Sequence, residues 1–458
     1  MSLPPATTKY RKSFNYDSRA AAGMITIMAV LLCGLGFYLS LAIAIYPQHD
    51  KGFAIVERGP YIHAYDPIAL AELGLPPNSS NANALPADPE IRTISVYSDR
   101  VVLTSAGVVV SSIPLISPVA DLEQLKNLLN NPAWIEESDA GTYVMKAAII
   151  LFANTQLTIG APHVHEVQML DVPSVFIGVT GGDLTFRDVV VRGVGTEGTN
   201  SDKYQPFVMA TGNARMIMTN SLFTNLGWDW NASYGVSWEH GSTGEVTGTI
   251  FENSFIGVYT SRSERLSFID CTFRNNHLYG LDPHTYSRNL TIDHVTAEGN
   301  GAHGIIFSDH VTDSIIKNSA SFANGENGIM MDESSTNNVI ENNTVYRNSG
   351  DGLATALSRD NTFSRNNVFE NRVGIRLDEG DASGTAVTGN SVSRNNKAAE
   401  NVQLDASNIV QNNGGQWNMQ VLIFIWAGVA LCVVAFSILF LLARIRRKKN
   451  PRPSLMLV

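Results

Sequence analysis

The middle of the chain is written in short alternations of apolar and polar residues, broken by Asn and Gly, without the 3.6-residue period of a packed helix. Gly257, Gly280, Gly304, Gly328, Gly352 and Gly374 recur at intervals of 22 to 24 residues, each followed by an aliphatic residue: Val258, Leu281, Ile305, Ile329, Leu353 or Ile375. A fixed period of that length marks a solenoid. A second β-rich run follows each of these by about ten residues: Leu266-Ser267-Phe268-Ile269, Leu290-Thr291-Ile292, Ile315-Ile316, Val339-Ile340, Thr362-Phe363 and Ala386-Val387. Runs this short predict strands with one buried face. The pairs Asn275-Asn276, Asn342-Asn343 and Asn366-Asn367 suit sharp corners, because Asn tolerates unusual dihedrals and bonds to its neighbours. The predicted fold is all-β, a right-handed parallel β-helix.

The ends of the chain read differently. Residues 23–45 and 421–443 are apolar over about the 20 residues that a bilayer core requires. Lys9, Arg11, Lys12 and Arg19 precede the first, and Arg444, Arg446, Arg447, Lys448 and Lys449 follow the second. Positive flanks on both outer sides predict a two-pass membrane protein with its solenoid on the extracytoplasmic side, periplasmic or extracellular. The expected organisation is a cytoplasmic tail (1–22), a transmembrane helix (23–45), a less regular β-rich cap region (46–163), the β-helix (164–415), a second transmembrane helix (421–443) and a basic cytoplasmic tail (444–458). Within the cap region, residues 91–113 read as β-rich, 121–131 as a short amphipathic helix and 143–159 as strands. A solenoid end needs such a cover.

Composition narrows the function. With 44% hydrophobic and 16% charged residues the chain buries a large core and is not disordered. A formal net charge of −10 argues against nucleic acid as a partner, and it disfavours a polyanion unless basic residues line the groove. Arg262, Arg265, Arg274, Arg288 and Lys317 are the candidates for such a track. Of three cysteines, Cys33 and Cys432 fall in the apolar spans, which leaves Cys271 as a packing residue. No zinc spacing is present and no metal site is assigned.

Candidate chemistry gathers in Tyr279-Gly280-Leu281-Asp282-Pro283-His284, where three proton-handling side chains interrupt an otherwise Asn, Gly and aliphatic repeat. Aligning the coils on their glycines puts Ser261, His284, Ser308 and Asp332 in one column and Arg262, Thr285, Asp309 and Glu333 in the next. Coils about 4.8 Å apart bring these side chains onto one wall. On this register Arg262 is the cation nearest His284, and a one-residue slip would turn it away. Trp228 and Trp230 are candidates for stacking on sugar rings.

Asp282-Pro283-His284 with Tyr279-Gly280 before it and His303-Gly304-Ile305-Ile306 after it resembles the DPH-containing rungs of the mannuronan C5-epimerases. The likeness extends from about Thr180 to Asp378, through Gln205-Pro206-Phe207, Ser233-Tyr234-Gly235-Val236-Ser237 and Ser254-Phe255-Ile256-Gly257-Val258-Tyr259, and is strongest to the periplasmic branch. The resemblance implies an isomerase that converts mannuronate to guluronate residues in an alginate-like polyuronate; the two apolar spans would hold it at the membrane, which suits modification of a polymer as a polysaccharide secretion complex exports it. The resemblance also implies His284 as the base, Tyr279 as the proton donor and Asp282 on the substrate carboxylate. Arg262, Ser308, Asp332 and His303 are expected to bind substrate. Where the periplasmic branch places an arginine, this chain reads Ser308-Asp309-His310, closer to the aspartate of the secreted, calcium-dependent enzymes. Asp309 is then protonated, ion-bound or replaced in its role by Arg262. The calcium-binding nonapeptide modules of the secreted enzymes are absent; no cofactor is assigned, and calcium is left open.

The chemistry fits the residue types. Epimerisation at C5 removes a proton α to a carboxylate and returns one to the opposite face, so it needs a base, an acid and a group that quiets the carboxylate charge. The same abstraction followed by loss of the C4 oxygen would make a lyase, and a non-catalytic carbohydrate-binding scaffold uses the same fold.

Overall fold

The computed structural model describes residues 92–171, 175–195, 204–229, 233–378, 382–404, 406–411 and 413. Three sheets run along a parallel β-helix, with 14, 10 and 13 strands, here called sheets I, II and III. Sheet I takes the strands that follow the repeated glycines: Val258–Ser261, Leu281–His284, Ile305–Phe307, Ile329–Met331 and Leu353–Thr355. Sheet II takes the second run, as in Leu266–Ile269, Thr291–Asp293 and Ile315–Lys317. Sheet III is a strand per coil that the sequence pattern does not predict, including Thr272–Arg274, Thr296–Glu298 and Ala320–Phe322. Each of these shows only one buried residue between two half-buried ones. Three residues are too few for alternation to stand out from a turn.

The core follows from period two. Val258, Leu281, Ile305, Ile329, Leu353 and Ile375 point inward and are fully buried. Phe223, Phe251 and Phe273 stack inside sheet III at 5.5 and 5.3 Å between ring centroids. Each such pair adds about 0.5–1.5 kcal/mol beyond the area it buries.

Buried asparagines fix the corner that leads into sheet I. Each side-chain Nδ2 donates to Oδ1 of the next coil: Asn276 to Asn300 (2.9 Å), Asn300 to Asn324 (3.0 Å), Asn324 to Asn348 (2.9 Å) and Asn348 to Asn371 (3.0 Å). The repeated glycines exist because of this ladder. A Cβ on Gly280 would lie 2.5 Å from the Gly304 carbonyl oxygen and 2.8 Å from Asn300 Nδ2. The sheet I backbone is therefore seated against the ladder without freedom to shift, which gives the side chains on its outer face fixed positions.

The N-terminal part closes one end. Arg92–Val96, Arg100–Ser105 and Val108–Pro114 form an antiparallel meander, and Arg92–Val96 continues sheet I by pairing in parallel with Ala148–Leu151. Parallel stacking thus begins ahead of Val164. Among the described residues there is one helix, Leu122–Leu129, capped by the Asp121 carboxylate, which accepts from Gln124 N–H at 2.8 Å. Its buried Leu122, Leu125 and Leu129 join the main core, so the helix covers the apolar end of the coil. The apolar spans at 23–45 and 421–443 lie outside the described residues. Among the described residues no helix is long and apolar enough to cross a membrane. Cys271 is buried in the coil.

Candidate active site

The outer face of sheet I carries three columns of side chains. Register pairs place Tyr259 beside Asp282, Ser261 beside His284, Met330 beside Ala354, and Ala354 beside Arg376. Tyr279, His303, Asn327 and Asp351 form a flanking column, since each carbonyl accepts from a repeated glycine of the coil before it, at 3.0, 3.2, 3.1 and 2.8 Å. Pro283 has no N–H to donate, so the ladder to Ile305–Phe307 keeps the single pair Leu281 with Ile305 and resumes where Ser308 N–H donates to Pro283 O at 2.9 Å. Between the columns, Phe255, Ile256, Tyr279, Ala302, Ile306, Met330 and Ala354 make an apolar cluster outside the main core. This dry floor sets the electrostatics of everything placed on it.

Asp282 is buried at 2% exposure, and its Oδ1 has no hydrogen-bond partner. Burial, with the nearby Asp332 charge, holds its pKa well above the carboxylate range, so it carries a proton. His284 is pushed the other way: burial lowers its pKa while the Asp309 charge partly restores it, and the imidazole is neutral. The tautomer follows from its neighbours. Asp309 is kept ionised: burial alone would raise its pKa, but hydrogen bonds from His310 and Thr285 and the adjacent His284 outweigh that. A carboxylate only accepts, so the Thr285 hydroxyl proton goes to Asp309. Thr285 Oγ1 then accepts from His284 Nδ1–H at 2.6 Å, and Nε2 is left as the basic atom.

The structure sorts the other candidates. Tyr279 is buried, its phenol pushed up by burial first and by surrounding carboxylates, and it stacks on His303 at 5.4 Å. His303 is neutral, its pKa lowered to about 3 by burial and by Arg376. Its Nδ1 accepts from Asn327 N–H at 3.1 Å and its Nε2 faces Glu326 Oε2 at 3.0 Å, so both ring nitrogens are committed to the protein. Asp309 bonds to His310 Nδ1 at 2.7 Å and stands behind His284. Asp332, its pKa raised by burial, accepts from Glu333 N–H at 2.9 Å. Arg262 has a left-handed backbone, φ 50°, and its N–H donates to Thr285 O at 2.7 Å, which puts it in the turn beside the DPH coil. Ser308 is buried. Trp228 meets Tyr204 edge to face at 5.7 Å, and Trp230 lies outside the described residues.

Two features of this wall have no counterpart in the sequence reading. Tyr259 lies 5.5 Å from His284 between ring centroids, with its phenol also pushed up by burial. Its position one coil before Asp282 was the available signal. The expected basic track does not form. Arg274 pairs with Glu252 from the outer face of sheet III, Lys317 with Asp293 from sheet II, and Arg265 and Arg288 both with Glu264 in the turn before sheet II. Sheet I does carry Arg376, whose charge reaches both His303 and Asp332. Among the described residues no three His, Cys, Asp or Glu side chains are grouped to hold a metal ion.

A mannuronan C5-epimerase of Pseudomonas aeruginosa is 31% identical over 221 residues, which is 44% of this chain and 40% of that protein. Over this stretch the chain is similar to mannuronan C5-epimerases. A second epimerase, from Pseudomonas putida, is 29% identical over 208 residues, 41% of this chain and 40% of that protein. The chain thus spans about 40% of the length of these epimerases. The periplasmic alginate epimerase AlgG, in its crystal structure, shares the fold with a TM-score of 0.58 at 21% identity, covering 64% of this chain and 82% of that one. Residues 218–423 also match the family described as Periplasmic copper-binding protein (NosD).

Proposed function

We propose that the outer face of sheet I is the active site of an extracytoplasmic C5-epimerase that converts mannuronate to guluronate residues in an alginate-like polyuronate. The observation that carries this reading is the build of one strand, where Asp282 is buried with its Oδ1 unpartnered and His284, two residues on, has Nδ1 held by Thr285 Oγ1 at 2.6 Å; burial raises the pKa of the first and lowers that of the second. Neighbouring groups whose surroundings drive their pKa values apart supply an acid and a base at one pH. The names of the epimerase relatives supply the substrate class.

In this reading the uronate carboxylate lies on Asp282, whose proton forms a short hydrogen bond to it and quiets its charge. That lowers the barrier to forming the enolate-like anion at C5. His284 Nε2 takes the C5 proton, and the imidazolium is stabilised through Thr285 by ionised Asp309. A phenol on the opposite side returns a proton to the other face of the sugar. Tyr279 and Tyr259 both hold their protons at neutral pH, so each is competent as that donor. Arg262 stands within reach of the same coil as a substrate contact, and Ser308 and Asp332 continue the wall. The spans at 23–45 and 421–443 would keep the solenoid beside its membrane, where a polymer leaving a secretion complex would meet it.

Proton NMR of polymannuronate after incubation with the full-length protein tests the reaction class. Guluronate anomeric signals without ultraviolet absorbance from unsaturated ends are expected. Unsaturated ends would make the protein a lyase, and an unchanged polymer would leave a binding scaffold.

A further inference from the structure

Arg376 is built into the groove more firmly than a surface cation. It ends the strand Val373–Arg376 in the outward column that contains Asp282. Its Nε donates to Asp351 Oδ2 at 2.5 Å, and Arg372 Nη2 donates to the same oxygen at 2.9 Å. Asp351 is fully buried, and these two guanidinium groups are its ion-pair partners. Glu400 is the neighbour of Arg376 on the next coil, 4.0 Å from Arg372 and paired with Lys397 at 3.1 Å, so three cations on two carboxylates leave one positive charge over. The Arg376 side chain is 23% exposed, and among the described residues Nη1 and Nη2 make no hydrogen bond. A planar pair of donors in that state matches a carboxylate.

A polar column connects this triad to the DPH coil. Tyr279 stacks on His303, Asn327 N–H donates to His303, and Asp351 N–H donates to Asn327 Oδ1 at 2.7 Å. Arg376 is four coils beyond Asp282 in the outward column, on the order of 19 Å at the usual strand spacing. That is too far for Arg376 to touch the carboxylate of a sugar reacting at His284. It suits a carboxylate on another residue of the same polymer.

Resting on the epimerase reading for the polymer's identity, we infer that Arg376, held by Asp351 together with Arg372, is a subsite for the carboxylate of a uronate residue remote from the reacting one. The polymer then lies along the axis of the solenoid on sheet I, and the chain favours substrates long enough to reach from His284 to Arg376. Asp351 is a positioning residue: it fixes the guanidinium and touches no substrate.

The test compares the full-length protein with Arg376→Gln and Arg376→Lys on mannuronate trimer and on polymannuronate. The wild type should prefer polymer by kcat/KM. Arg376→Gln should cut that preference about tenfold, mainly through KM, as expected for one lost charge-assisted contact. Arg376→Lys keeps the charge and the pairing with Asp351 but loses the fork, and should fall between. Equal loss on trimer and polymer, or a wild type with no length preference, overturns the subsite. If no epimerisation is seen at all, retardation in gels containing polymannuronate decides separately. Weaker retardation of Arg376→Gln than of wild type upholds the subsite while the epimerase reading falls, and equal retardation overturns it. Circular dichroism of each variant identifies a misfolded one, and Arg376→Lys then carries the comparison.

Discussion

At the scale of single residues, the site works by surroundings more than by residue type. Asp282 and His284 are two positions apart on one strand, yet burial moves their pKa values in opposite directions, because it penalises the charged form of each. This fixes the pH behaviour. In the proposed reaction neutral His284 is the base, and its pKa is below the ordinary histidine value of about 6.5. The acid limb of kcat/KM should therefore lie below that value. The Asp309 charge is the influence that raises the pKa, so Asp309→Asn should move the limb further down. A limb that moves up would remove Asp309 from its place behind His284. At the other side, rate is lost as Asp282 gives up its proton, and Asp282→Asn should abolish that alkaline limb. The tripeptide and Tyr279 were legible in the sequence. The ionised state of Asp309 was not, since it depends on His310 and Thr285 meeting one carboxylate in a turn with a left-handed backbone.

At the scale of strands and turns, the Asn ladder and the repeated glycines form one device. Asn324 Oδ1 accepts from both the backbone N–H and Nδ2 of Asn300, at 3.1 and 3.0 Å, while its own Nδ2 donates to Asn348 Oδ1. Asn324→Ala would take the acceptor from the buried Asn300 N–H and one bond each from Asn300 Nδ2 and Asn348 Oδ1; the unsatisfied N–H alone costs about 1–3 kcal/mol. Denaturant unfolding should show a loss in at least that range. A change within about 0.5 kcal/mol, as for a surface substitution, would contradict the ladder's role. The glycine period and the Asn corners made sheets I and II legible from the sequence. Sheet III stayed hidden, because strands such as Ala320–Phe322 bury only Ser321 between half-buried neighbours, and a single buried serine has no apolar signature.

At the scale of the molecule, a chain with a formal charge of −10 is read as acting on a polyanion. Of the basic residues close to the DPH motif in sequence, Arg265, Arg274, Arg288 and Lys317 are turned to other faces and paired with acids, and Arg262 stays in the turn beside the motif. Arg376 faces the groove although it is distant in sequence, because successive coils bring its column into line with Asp282. Period alone gives such a column, yet it does not say which arginine a buried Asp351 will hold. In the proposed reaction His284 moves the C5 proton of a uronate residue. The most direct measurement is deuterium incorporation at C5 when polymannuronate is incubated in deuterated water with the full-length protein and with His284→Ala. Guluronate carrying deuterium at C5 is predicted with the wild type, with a loss of at least about a hundredfold in His284→Ala, the low end for removing a general base. Guluronate that retains the original C5 proton, or label entering equally in the variant, would contradict it.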